Sequence, residues 1–341
     1  MKHHLCSTIN VTAACLAVGL IAASAAQARA KLKSFDAPGA NQTFAYGINA
    51  HGDVVGYFID ANLHDHGYVR SAKGVFTTID PPGSVATIPD SINDTGAISG
   101  YYYDASGVTH GFVRAPDGTV TSFDPKGSAN TQTYAVASSG EIVGEYVDQS
   151  GVQEAFVRSA AGEITTIKIK GAAGSSAVSE NQSGQISGDW GDATGVVHGF
   201  VREPSGKVTK FDPDGSIFTF TLGISASGSI AGDYLDASGH THGFVRAPDG
   251  TITAFDVKKS INTVALGAQN LNTSGAMVGS FEDTAHVYHG YVRTADGTIV
   301  KFDPAGSADT NGQSINDHGK ITGYYKDAGG LAHGFVGTVG E

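Results

Sequence analysis

Short runs of β-branched and aromatic residues alternate with Gly- and Asp-rich clusters along nearly the whole chain. Residues 87–130 show the pattern. Ile92-Asn93-Asp94-Thr95-Gly96 is a polar turn, and Ile98-Ser99-Gly100-Tyr101-Tyr102-Tyr103 is a β-prone run. Asp104-Ala105-Ser106-Gly107 is a second turn, residues 108–114 the next run, Ala115-Pro116-Asp117-Gly118 a third turn, and residues 119–124 a fourth element. Such Asp-x-x-Gly and Pro-Asp-Gly clusters fit type I turns with Gly in the left-handed position, which join antiparallel neighbours. A helical apolar period is absent from the repeats, so the pattern predicts four short strands per unit in an up-and-down meander.

The unit recurs. His66-Gly67-Tyr68-Val69-Arg70 returns as His110 to Arg114, Glu154-Ala155-Phe156-Val157-Arg158, His198 to Arg202, His242 to Arg246, His289 to Arg293 and His333-Gly334-Phe335-Val336-Gly337. The spacing is 44 residues, with one gap of 47. Runs of about 40 to 50 residues that each build a four-stranded sheet are the signature of a β-propeller. The fourth-strand motif occurs once before any anchor, at Ser34-Phe35-Asp36, and never after the last. The expectation is therefore an all-β, seven-bladed β-propeller, with the N-terminal strand completing the final blade beside His333 and closing the ring. Closure would remove two exposed sheet edges.

Residues 1–30 stand apart. A basic start (Lys2, His3, His4), an apolar run over residues 11–26 and small-x-small patterns ending at Ala30 read as a cleaved secretory signal. Residues 31–341 are then one propeller domain that the repeats fill, and the expected location is secreted or periplasmic. Both cysteines, Cys6 and Cys15, fall in the leader, so the folded part has no disulfide. No later stretch is apolar enough for membrane insertion. The net charge of −12 disfavours nucleic acid and anionic surfaces, and leaves glycans, peptides and proteins as partners.

The His-Gly-Phe anchors, with the Phe-Asp-Pro and Ile-Asn-Asp-x-Gly elements, resemble the bacterial extracellular repeat proteins named for a His-Ala-Phe (HAF) motif. The resemblance covers essentially all of residues 31–341. It implies export and a repeat fold. It carries no activity and no catalytic residues.

An Asp lies six residues before the anchor position in every unit: Asp60, Asp104, Asp148, Asp192, Asp236, Asp283 and Asp327. The Asp and the anchor His can meet on one face of the hairpin. A feature copied in every unit reads as a structural hydrogen bond or turn cap in preference to a ring of metal ligands. The anchor Arg reads as an inter-blade ion pair or a donor to loop carbonyls. His64 and His66 are two apart on a strand, as are His240 and His242, but no third matched ligand is visible and no metal or other cofactor is assigned.

Function is expected where the copies differ. The residue after the second-strand Gly is Tyr57, Tyr101, Glu145, Asp189, Asp233, Ser280 or Tyr324. On a closed ring, Tyr324, Tyr57 and Tyr101 form an aromatic arc, and Glu145, Asp189 and Asp233 an acidic one. If both blade faces are buried, these are packing tyrosines and paired acids. At a mouth, they suit sugars or cations. Units three and four are the most divergent, unit four with Trp190 at a position otherwise filled by Phe or Tyr, and unit six carries an insertion within residues 256–271. The reading is an exported, monomeric, non-catalytic propeller that binds a glycan, peptide or protein through loops at one mouth. The alternative is a polysaccharide hydrolase or lyase using Glu145, Asp189 or Asp233 as catalytic carboxylates.

Overall fold

The computed structural model describes residues 30–339. The signal reading lies outside them, apart from Ala30. The described chain holds 28 strands between Lys31 and Thr338 and no helix. Every repeat is a four-strand antiparallel meander. The second unit, for example, runs through Ser84–Ile92, Ile98–Asp104, Thr109–Arg114 and Val120–Phe123. Units one and two form one eight-stranded sheet, joined by a single parallel bridge between Asp65 and Ala86; the other units are separate four-stranded sheets. The last sheet takes Lys31–Phe35 as its outer strand, with Lys31 opposite Thr338 and Phe35 opposite Gly334. The first strands of units one to five pack side by side, and that of unit seven, Asp309–Ile315, packs on that of unit one, Ala40–Ile48.

The glycines of the strands make room. A Cβ on Gly243 would lie 2.5 Å from the Phe255 ring, and one on Gly290 would lie 2.3 Å from Phe302. The anchor Gly is thus the floor on which the fourth-strand Phe rests. In unit three the anchor has Ala155 instead, and the opposing Phe has become Ile167. The swap conserves volume.

Each fourth-strand Phe then reaches the next unit. The guanidinium of Arg70 sits 4.6 Å over Phe35, Arg158 4.7 Å over Phe123, Arg246 4.9 Å over Phe211 and Arg293 4.8 Å over Phe255. Units one and three carry Ile79 and Ile167 in place of Phe, so Arg114 and Arg202 have no ring to cover. The anchor Arg is therefore a cation–π lid on the preceding unit. It makes no ion pair among the described residues. Its Nη1 also donates to a carbonyl of its own turn, Ser71 or Ala115 for example. The inter-blade ion pair is corrected on this point. The stacked, partly desolvated guanidinium meets a π face and a carbonyl in place of a carboxylate, and the buried Nε of Arg70, Arg158, Arg246 and Arg293 has no hydrogen-bond partner among the described residues.

A buried asparagine ties consecutive units at the first turn. Asn93 Oδ1 accepts from Ala97 N, and its Nδ2 donates to Ala137 O of the next unit at 2.8 Å. Asn49 donates likewise to Asn93 O, Asn181 to Ser225 O, and Asn272 to Asn316 O, each across 44 residues. Asn316 donates to Asn49 O at 2.8 Å, across 267 residues. The last unit thus holds the first by the same bond.

Gly290→Ala is expected to cost about 1–3 kcal/mol of stability through overpacking against Phe302. Adding Phe302→Ile, which copies unit three, should recover part of that loss. A double-mutant cycle by chemical denaturation reads the coupling; additive effects would show that the ring does not rest on the glycine.

Candidate ligand-binding cavity in the central channel

The outer rim carries the copied chemistry. In six units the anchor His stacks on the aromatic residue of the second strand, as in Phe58–His66 at 5.2 Å and Trp190–His198 at 4.5 Å. This places Trp190 in the same structural shelf as its equivalents, with Lys210 Nζ 3.3 Å above its ring. The His is then held between two carboxylates. Nδ1 bonds the Asp of the Phe-Asp-Pro element or its equivalent, at 2.7–2.9 Å: Asp80, Asp124, Asp212, Asp256, Asp303 and, for His333, Asp36 at the other end of the chain. Nε2 faces the hairpin Asp at 3.2–3.7 Å. That Asp also caps its own turn, as Asp104 Oδ1 accepts from Ser106 N and Val108 N. In unit three the two positions are Glu154 and Lys168, which form an ion pair. One acid–base pair substitutes for another, so this node is structural. The stronger partner, fourteen residues after the His, was not singled out in the sequence.

The central channel is different. A cavity of about 460 Å³ is lined by Tyr46, Tyr101, Tyr134, Phe220, Asp90, Asp189, Asp233 and Gln313, with Ser176, Thr221 and apolar residues such as Ile88 and Leu222. No Lys, Arg or His lines it. Of the six sequence-predicted residues, the channel gathers Tyr101, Asp189 and Asp233. Tyr57 and Tyr324 pack instead in the seam between units one and seven, on either side of Phe44, with ring centroids 4.7 and 5.0 Å away. Burial pushes the Tyr57 hydroxyl up to about 12, opposed by the hydrogen bond with Tyr46 and helped by Asp65 and Tyr324. Glu145 lies outside the cavity lining, bonded to Gln153 and Ser176 and bordering a side pocket with Tyr103, Asn130 and Tyr146.

Asp189 and Asp233 do two things. Each accepts the backbone N–H of the next unit's first strand: Thr221 to Asp189 Oδ1 at 2.7 Å, and Ala265 to Asp233 Oδ2 at 3.0 Å. In unit six Ser280 Oγ accepts Gly312 N at 3.1 Å, the same bond without a charge. The second oxygen of each Asp has no hydrogen-bond partner among the described residues. Burial raises Asp189 to about 8, against the pull of Thr221 N–H and with help from Asp233 and Glu145. Burial likewise raises Asp233 to about 7, opposed by the Ala265 N–H. Asp90 is raised well above the carboxylate range by desolvation, and its buried Oδ2 is unpartnered.

Asp90, Tyr46 and Tyr134 were missed in the sequence. They occupy one repeat position, filled elsewhere by Val178, Leu222 and Gln313. The signal was present: this position varies as much as the one after the second-strand Gly. Gln269 was also missed. It belongs to the unit-six insertion, which bends into the channel. Its Nε2 donates to Ile92 O of unit two, across 177 residues, and its backbone carbonyl accepts from Ser314 Oγ and Ile315 N of unit seven. Asn270 Oδ1 holds Gly223 N of unit five. Ala268 borders the 460 Å³ cavity on one side and, on the other, a smaller space of about 150 Å³ under the Asn turns. The insertion therefore corks one end of the channel.

No protein-family model and no curated protein sequence matches this chain. Solved structures do. The β-propeller domain of the Trilobed protease from Pyrococcus furiosus, described with an open velcro topology, aligns with a TM-score of 0.61 at 10% identity over 87% of this chain and 95% of that one. The BP39L lectin from Burkholderia pseudomallei gives 0.54 at 12% identity over 92% and 97%. The acylaminoacyl peptidase of Pyrococcus horikoshii gives 0.59 at 10% identity over 87% of this chain and 52% of that one. The fold is thereby that of a β-propeller.

Titration gives a signed expectation. For His66, His110, His242, His289 and His333, burial pulls the pKa down and the flanking carboxylates more than offset it, so each is raised. Their stabilisation is complete below the ordinary imidazole range and is lost as pH rises through the raised values. Asp189 and Asp233 act in the same direction, because ionising a buried carboxyl costs the folded state as pH climbs from the unfolded pKa towards about 8 and about 7. Asp104, held by Ser106 and Val108, is lowered to about 2, so its contribution is full above the ordinary carboxylate range and is lost as pH falls towards about 2. Calorimetry should therefore find the melting temperature falling by roughly 5 °C or more between about pH 5 and about pH 8. A flat or rising profile would contradict these assignments.

Proposed function

We propose that this chain is an exported, monomeric, non-catalytic β-propeller of seven blades, closed by its N-terminal strand, which binds a sugar residue of a glycan in the corked central cavity. Export rests on the signal-like leader and the resemblance to His-Ala-Phe repeat proteins. Closure is supported by three contacts between the chain's ends: the Lys31–Phe35 pairing, Asn316 to Asn49, and His333 to Asp36. A chain beginning at Ala37 should lose amide-exchange protection first in Ala332–Thr338 and melt lower. Unchanged protection there would remove the closing role.

One observation carries the ligand class. The cavity combines aromatic faces from Tyr46, Tyr101, Tyr134 and Phe220 with three carboxyl groups and no basic side chain. Aromatic faces stack on sugar C–H surfaces, and carboxyls with raised pKa values both donate to and accept from hydroxyls. A propeller of similar fold is a lectin. With no basic side chain in the lining, nothing there pairs with the charge of an acidic ligand. On a glycan array the protein should bind neutral or amino sugars and leave sialylated and uronic acid probes untouched. Tyr101→Ala with Asp90→Ala should lower affinity by about tenfold or more, roughly 1.4 kcal/mol. Undiminished binding by that folded double variant, or a preference for acidic glycans, would refute the site.

The hydrolase reading keeps one supporting observation. Asp233 at about 7 and Asp189 at about 8 lie at and just above neutrality, where an acid and a base could share a proton. Both, however, hold a backbone N–H of the next unit, a task Ser280 performs without chemistry. Turnover of a polysaccharide that Asp233→Asn abolishes would favour the enzyme.

A further inference from the structure

We propose that the second hairpin of unit one, between Val54–Asp60 and Asp65–Arg70, is a transition-metal site, with Asp60, His64 and His66 as ligands for Zn²⁺ or a similar borderline ion. The third ligand that the His pair lacked in the sequence is Asp60, four residues before His64. Ligand atoms of the three residues lie within 4.8 Å of one another. Asp60 Oδ2 is 3.7 Å from His66 Nε2 and 3.9 Å from His64 Nδ1. Those separations are too long for hydrogen bonds. They are close to what donors sharing an ion at about 2.0–2.2 Å require.

Two of the ligands are already oriented. His66 Nδ1 bonds Asp80 Oδ2 at 2.8 Å and its ring lies on Phe58, which puts the Nε2 lone pair towards Asp60. This carboxylate–imidazole arrangement is the outer support that metal-bound histidines generally have. Asp60 Oδ1 is fixed by Asn62 N at 2.8 Å and His64 N at 2.9 Å, which leaves Oδ2 with only a long contact to Asn62 Nδ2. The His64 side chain is 64% exposed, so water can complete the coordination.

The sister hairpins explain why the site is single. Position 64 is Val108, Val152, Val196, Val287 or Leu331 in five units. Unit five has His240, but there Ser238 Oγ bonds both oxygens of Asp236 and His240 Nδ1, and His242 Nε2 already bonds Asp236 Oδ2 at 3.2 Å. That carboxylate is occupied, while Asp60 Oδ2 holds only the 3.3 Å bond from the exposed Asn62 side chain.

The test is a titration of the untagged full chain with Co²⁺, followed by visible absorption, and with Zn²⁺, followed by calorimetry. The expected result is a site that His64→Val weakens by about tenfold or more, while His240→Val leaves it unchanged. Val is native to the sister units, so the fold is kept, and His3, His4 and Cys6 are common to all variants. Equal binding by the parent and His64→Val, no binding by the parent, or loss only in His240→Val would each overturn the proposal.

Discussion

Every unit of this protein buries both sheet faces against neighbours, and the constraint that follows is the satisfaction of polar groups at the seams. The buried Asn of the first turn meets it most economically. Its Oδ1 closes its own turn and its Nδ2 reaches the carbonyl of the next. A buried amide left unpaired costs about 1–3 kcal/mol, so each such bond fixes the angle between two sheets as well as joining them. The same logic repeats at other depths. Asp189, Asp233 and Ser280 accept a first-strand N–H mid-channel, and the fourth-strand Phe slides under the next Arg at the rim.

The cavity is a by-product of that arithmetic. A carboxylate uses one oxygen on the seam and has another left over. Two such oxygens, with the unpartnered Asp90, make an acidic interior that no cation of the protein neutralises. A serine at the same place would hold the seam equally well, as Ser280 shows. The acids are therefore surplus to the architecture, and surplus polar groups are where binding is found.

Much of the fold was legible because each strand and turn is written seven times. Gly-Phe spacing, Asp-x-x-Gly turns and the orphan Phe35 predict the meander and the pairing of the chain's ends. Two things were not legible. The partner of five anchor His residues is fourteen residues on, just past the fourth strand, and that of His333 is Asp36, so only strand register brings Asp124 to His110. The split of the tyrosines was equally hidden. Tyr57, Tyr101 and Tyr324 hold one repeat position, yet Phe44 claims two of them for the seam and leaves Tyr101 to the channel. Which way such a ring turns depends on its neighbour in the adjoining sheet, a relation no single unit contains.

The unit-six insertion has a consequence for how copies diverge. Equal units placed side by side repeat every address, so a ligand meeting them has no unique orientation. Three added residues in one copy abolish that degeneracy. Because Gln269 grips unit two and Ser314 of unit seven grips its carbonyl, every wall of the cavity acquires a fixed bearing relative to the cork. A molecule docking there meets an inside with a front and a back. Substitutions in any one copy then become distinguishable events, and asymmetry gained once lets the other six drift into separate tasks.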